Sequence, residues 1–119
     1  MSNLSEAIFQ KQIIAFSRRF QDPNAALFHI PNGEQRNAAT GAKLKKMGVL
    51  AGAPDLCLIA QGRVRFMELK RSRQDKLTPS QEAFRAICAA NSIDYVTCHD
   101  FNQAIETLGA WGAYSGVKL

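Results

Sequence analysis

Residues 54–70 read PDLCLIAQGRVRFMELK, and the reading of this stretch decides the fold. Its two halves, residues 55–60 (DLCLIA) and 64–69 (VRFMEL), are rich in aliphatic, aromatic and β-branched residues and read as β-strands. Gln61-Gly62 lies between them, and glycine supplies the positive φ that a tight hairpin needs. With Ala60 facing Arg63 across a two-residue loop, the register carried back along both strands puts Asp55 opposite Glu68, their Cβ atoms roughly 5 Å apart. Side chains alternate along a strand, so Lys70 emerges on the face of Glu68. Two carboxylates that close repel each other unless something positive sits between them. Oxygen ligation of a hard divalent cation is one solution and a nearby lysine is another. A plain hairpin with a surface acid–lysine contact is the third reading of the same residues.

The 119 residues give room for a single domain, 1–119, with one modest core. A hydrophobic content of 46% with 21% charged residues fits a globular protein and excludes a disordered or fibrous one. No stretch approaches the ~20 apolar residues of a membrane helix, and the N-terminus lacks a signal-peptide pattern. Cys57, Cys88 and Cys98 are odd in number and lie in apolar segments, which fits buried reduced thiols in a cytoplasmic protein. Cys98-His99 is too sparse for structural zinc, which takes four ligands. The net charge of +5 is compatible with a polyanionic partner, because lysine and arginine release counterions from phosphates.

Outside the hairpin, residues 3–20 read as a helix, with Asn3 as cap and Glu6 three residues later. Phe9, Ile13, Phe16 and Phe20 form its apolar stripe, with Glu6 at the N-terminal edge. Ile8 and Ile14 lie off the stripe, a second apolar face suited to a partner subunit. Residues 26–30 read as a short strand ended by the turn signal Pro31-Asn32-Gly33. The weakly helical segment 34–47 carries Arg36, Lys43, Lys45 and Lys46 and ends at Gly48. The small-residue loop 48–53 then allows close backbone approach to a large ligand. After the hairpin comes a basic turn with Arg71, Arg73 and Lys76. Thr78-Pro79-Ser80-Gln81 opens another helix as cap, first-turn proline and closing glutamine. Phe84, Ile87 and Cys88 are its expected buried side. Residues 93–98 read as a strand, and Asp100 caps a last helix carrying Ala104, Ile105 and Leu108. Residues 109–119 stay unassigned, with Trp111 and Tyr114 as docking groups. The order is helix, strand, hairpin, helix, strand, helix, and a mixed sheet flanked by helices accounts for it.

Pro54-Asp55, Glu68-Leu69-Lys70 and this order resemble the PD-(D/E)xK nucleases, and within them the small VRR-NUC proteins. The matching residues are Pro31-Asn32-Gly33, Arg36, Gly41, Leu44-Lys45, Gly48, Gly52-Ala53-Pro54-Asp55-Leu56, Glu68-Leu69-Lys70 and Leu77-Thr78-Pro79-Ser80-Gln81, spread over roughly residues 4–108. The resemblance implies an α/β fold with a restriction-endonuclease-like αβββαβ core. It implies that Asp55, Glu68 and the Leu69 carbonyl ligate Mg²⁺ or Mn²⁺, with Glu6 completing the shell. Lys70 would orient or activate the attacking water, and Gln81 matches the glutamine that opens the family's second main helix. Glu6 and Gln81 each also have a capping role.

The chemistry expected from this is metal-assisted phosphodiester hydrolysis. Arg36, Lys43, Lys45 and Lys46 on one side, and Arg71, Arg73 and Lys76 on the other, are candidates for the DNA backbone path, or else a solvated basic face. His29 reads as a packed or surface imidazole and His99 as a loop residue. The resemblance favours a homodimeric endonuclease cutting branched DNA such as four-way junctions, in a bacterial or phage-infected cell. A less selective flap, single-strand or duplex nuclease is an alternative. So is an inert DNA-binding protein on the same fold, and an RNA- or tRNA-acting enzyme is compatible with the same charge and fold.

Overall fold

The computed structural model describes residues 3–31 and 38–115, with side chains described for residues 6–31 and 40–115. The elements run α1 (Asn3–Phe20), β1 (Ala26–His29), α2 (Ala38–Lys46), β2 (Leu56–Ala60), β3 (Arg63–Leu69), α3 (Pro79–Ala90), β4 (Tyr95–Cys98) and α4 (Phe101–Ala110). They build one four-stranded sheet in the order β1-β2-β3-β4. The first two pairings are antiparallel and β3–β4 is parallel, so the mixed sheet flanked by helices is the architecture observed. A parallel pair needs a crossover, and α3 supplies it.

The hairpin has the expected register, with Ala60 opposite Arg63 and Leu56 opposite Met67. Both turn residues have positive φ, Gln61 at 54° and Gly62 at 73°, as in a type I′ turn. Asp55 and Lys70 fall just outside the strands at the open end of the hairpin. β4 is shorter than the reading of 93–98 because only residues 95–98 pair with β3.

Alternation divides the sheet into two faces. On one, Leu27, Leu56, Leu58, Ala60, Met67, Leu69 and Cys98 pack with Phe9 and Ile13 of α1 and with Ala104, Ile105 and Leu108 of α4. On the other, Phe66 meets the Phe84 ring of α3 edge-on at 5.3 Å, and Phe84 in turn meets Tyr95 at 6.3 Å. Glu68 is two residues from Phe66 and so belongs to this α3 face. The predicted caps of α3 and α4 form: the Thr78 hydroxyl accepts from the Gln81 N–H, and the Asp100 carboxylate accepts from the Gln103 N–H at 2.8 Å. The Asn3 side chain lies outside the described side chains.

Residues 109–115, left open by the sequence, close the core. Ala113 is fully buried, Trp111 and Tyr114 pack on the core cluster, and the Tyr114 hydroxyl lies 2.9 Å from Ser17 Oγ. Two expectations fail. Ile87 is 55% exposed, because Phe84, Cys88 and Gln81 already supply the buried side of α3. Ile14 packs against the core, so the second apolar face of α1 reduces to the exposed Ile8. The three cysteines are free and buried. Among the described residues, no helix is long and apolar enough to cross a membrane.

Candidate active site: a buried acidic pair at the open end of the hairpin

β3 carries Glu68 into the interior, where the residue keeps only 4% of its exposure. Its Oε2 accepts a 3.0 Å bond from Gln81 Nε2 at the start of α3. Its Oε1 is buried and, among the described residues, meets no N–H donor; its neighbour is the Asp55 carboxylate. An ionised carboxylate left that way is costly. Burial, then the nearby Asp55 charge, push the Glu68 carboxyl up to about 9, with Lys70 pulling the other way. With no cation present, the pair therefore holds a proton at neutral pH.

Asp55 is held by its own strand partners. Its Oδ2 accepts from the Leu69 N–H at 2.8 Å, which locks it against the Glu68-Leu69-Lys70 segment. Its carbonyl accepts from the Ile30 N–H at 2.9 Å and from His29 Nδ1 at 2.8 Å. Lys70 is fixed in the same manner. Its N–H donates to the Cys98 carbonyl at 3.0 Å, and its own carbonyl lies 2.9 Å from His99 Nδ1. A carbonyl only accepts, so both histidines carry their proton on Nδ1. His99 is held in turn, its N–H donating to Gln103 Oε1 at 2.8 Å. Thus the two histidines, read as bystanders from sequence, clamp the main chain of Asp55 and of Lys70.

Gln81 serves as a cap and also touches the acidic pair. Its Oε1 accepts from the Thr78 N–H at 2.9 Å, completing the capping box, while its Nε2 holds Glu68. The loop before Asp55 is seated on the same helix end. Gly52 has φ +85°, and a Cβ there would overlap the Ser80 carbonyl. Only glycine permits this approach, which ties the loop to α3 one residue from Gln81.

Two carboxylates with one unpartnered buried oxygen form a donor set of the kind hard cations take, so the pair fits a divalent ion such as Mg²⁺ or Mn²⁺. No group of three or more His, Cys, Asp or Glu side chains that can hold a metal forms among the described residues. Glu6 sits in the first turn of α1 and makes contacts of its own. That helix reaches the site end of the sheet, since the Arg71 guanidinium lies 5.3 Å from the Phe9 ring centroid.

The basic residues divide. Lys43, Lys45 and Lys46 form the last turn of α2 and are exposed. Arg73 is engaged with Asp100 at 3.4 Å, and Lys76 is exposed on the turn before α3. Arg36 lies outside the described residues.

No protein-family model matches the chain, and no curated protein matches it. Solved structures do. A structure titled "VRR_NUC domain protein" superposes with a TM-score of 0.75 at 24% identity, covering 100% of this chain and 99% of that one. A second, titled "VRR_NUC domain", has a TM-score of 0.60 at 18% identity, covering 89% of this chain and 96% of that one. End to end, the chain has the fold of the VRR_NUC domain.

Proposed function

We propose that the protein is a metal-dependent DNA endonuclease, with Asp55, Glu68 and Lys70 as its catalytic core. The observation that carries this reading is the buried Glu68, with Oε1 unpartnered beside Asp55 at the end of a hairpin where Lys70 follows directly. Support comes from the fold, shared with structures titled for the VRR_NUC domain, and from the sequence motif that resembles the VRR-NUC nucleases.

In this reading Glu68, Asp55 and the Leu69 carbonyl would hold Mg²⁺ or Mn²⁺, with Glu6 as an additional ligand. When bound, the ion supplies Lewis-acid activation of water and neutralises phosphate charge. The chain's own residues do the rest. Gln81 takes Glu68 Oε2, leaving Oε1 for the ion. The Leu69 N–H orients Asp55. The Lys70 ammonium adds fixed positive charge where the attacked phosphate becomes most negative, and it orients the attacking water. His99, on the Lys70 carbonyl, limits how far that residue can drift.

The basic turn of α2, and Arg71, Arg73 and Lys76 beyond the hairpin, are the groups that would meet the DNA backbone, with Arg36 outside the described residues as a further candidate. A homodimer would carry two equivalent sites about a twofold axis, matching a four-way junction. The test is incubation with labelled four-way, flap, single-stranded and duplex DNA in Mg²⁺ or Mn²⁺, beside Glu68→Ala. Junction cleavage lost in the variant is the expected result. Cleavage of linear substrates alone removes the junction assignment, and binding without any cleavage leaves an inert DNA-binding protein.

A further inference from the structure

The segment from α2 to Asp55 holds a feature that the chemistry above does not use. Met47 is 71% exposed and Leu50 55% exposed, two large apolar side chains in solvent directly after three lysines. Exposure of this kind usually belongs to a floppy tip, but here the backbone is tightly specified. The Val49 N–H donates to the Leu44 carbonyl and the Gly48 N–H to the Lys45 carbonyl, each at 3.0 Å, with Gly48 at φ +101°. That pattern is a Schellman closure of α2. Next, the Ala53 N–H donates to the Leu50 carbonyl at 3.3 Å with Gly52 at positive φ, the geometry of a type II turn.

This turn is anchored to the acidic pair. Gly52 abuts Ser80, and Gln81, the next residue, holds Glu68. Chain geometry keeps Leu50 within roughly 14 Å of Asp55, about 7 Å across the turn and two residues beyond it. Residues 38–54 contain Lys43, Lys45 and Lys46 and no Asp or Glu. An exposed apolar tip on a hydrogen-bonded turn, with three lysines in the helix turn just before it, suits a polyanion that has apolar surface to offer, and a nucleic acid with unstacked bases is such a ligand.

We infer that Met47 and Leu50 form a base-contacting wedge: while Lys43, Lys45 and Lys46 hold the backbone, the two apolar side chains insert against unstacked bases at a branch or strand opening beside the acidic pair. The inference rests on the nucleic-acid reading above and deepens it, placing the preference for distorted DNA in this tip. The apolar pair gains where bases are already unstacked, since opening a paired step costs energy that a branch has already met.

The experiment compares the full-length protein with Met47→Ser/Leu50→Ser, in Ca²⁺ in place of the catalytic ion. The probes are a four-way junction and a matched duplex, each carrying 2-aminopurine beside the centre. Both side chains are exposed, so the variant folds like the parent. The parent is expected to brighten the probe at the branch. The variant should lose the brightening and bind the junction about fivefold more weakly, with duplex affinity and salt dependence unchanged. Binding without brightening, or equal brightening by the variant, overturns the wedge and leaves the nucleic-acid reading standing. A variant that brightens the probe normally but shifts the sedimentation of the free protein assigns the tip to a second copy of the chain and also overturns it. Failure of the parent to bind either DNA overturns the nucleic-acid reading and the wedge with it.

Discussion

The two ends of β3 carry buried charge in opposite ways. Near the hairpin turn, Arg65 keeps only 12% of its side-chain exposure, and its charge is fully engaged. Its Nε donates to Asp94 at 2.8 Å, its Nη1 to the Trp111 carbonyl at 3.1 Å, and its guanidinium lies 5.8 Å from the Trp111 ring centroid. At the open end, Glu68 is buried more deeply, with one oxygen unpartnered and another carboxylate beside it. A structural charge is buried with its partners. A carboxyl buried beside another, with a single amide donor between them and α3, holds a proton or an ion, and ionising it with neither costs stability.

The contrast is broken most forcefully by Glu68→Ala. If the open end is a cation site, cleavage of the preferred substrate falls by about a thousandfold or more while the protein stays folded. Equal cleavage by the variant removes Glu68 from the chemistry. Gly52→Ala comes next, because it forces a Cβ into the Ser80 carbonyl at positive φ. A loss of roughly 2–4 kcal/mol in denaturant unfolding is expected, and the loss of Glu68 positioning should lower activity further. Arg65→Ala probes the opposite end. It should lower stability by about 1–2 kcal/mol, with kcat unchanged. A large fall in kcat would mean that the two ends are not separable.

The subtlest test is pH. Folding raises the Glu68 carboxyl from its ordinary range to about 9. Between those values the native state holds a proton that the unfolded chain has released, so stability falls as pH rises through this window. In EDTA, Tm should decline from about pH 5 to pH 9, and Glu68→Gln, which cannot ionise, should flatten that slope. A slope unchanged in the variant would place the proton elsewhere. The neutral amide should also stabilise the cation-free protein at alkaline pH.

Much of this frame is legible in the sequence, where it is written locally. The hairpin register follows from two turn residues, and the α3 and α4 caps from Thr78-Pro79-Ser80-Gln81 and Asp100, each a matter of neighbours within four residues. The acidic pair inherits its placement from that register. What the sequence hides is set across distance. His29 meets Asp55 and His99 meets Lys70 over separations of 26 and 29 residues, and a histidine has no local pattern that marks a carbonyl partner. Arg73 reads as a free cation until Asp100 is seen beside it. Ile87 and Ile14 exchange their expected surroundings because periodicity gives the face of a helix, while the width of the buried stripe depends on what packs there.

The central claim is that the unpartnered end of β3 is a divalent cation site, and titration calorimetry with Mn²⁺ tests it most directly. The native protein is expected to bind Mn²⁺ with release of protons, measured as a buffer-dependent enthalpy at pH 7.5, and Glu68→Gln should lose both the affinity and the proton release. Binding of equal affinity and equal proton release in the variant would contradict the account.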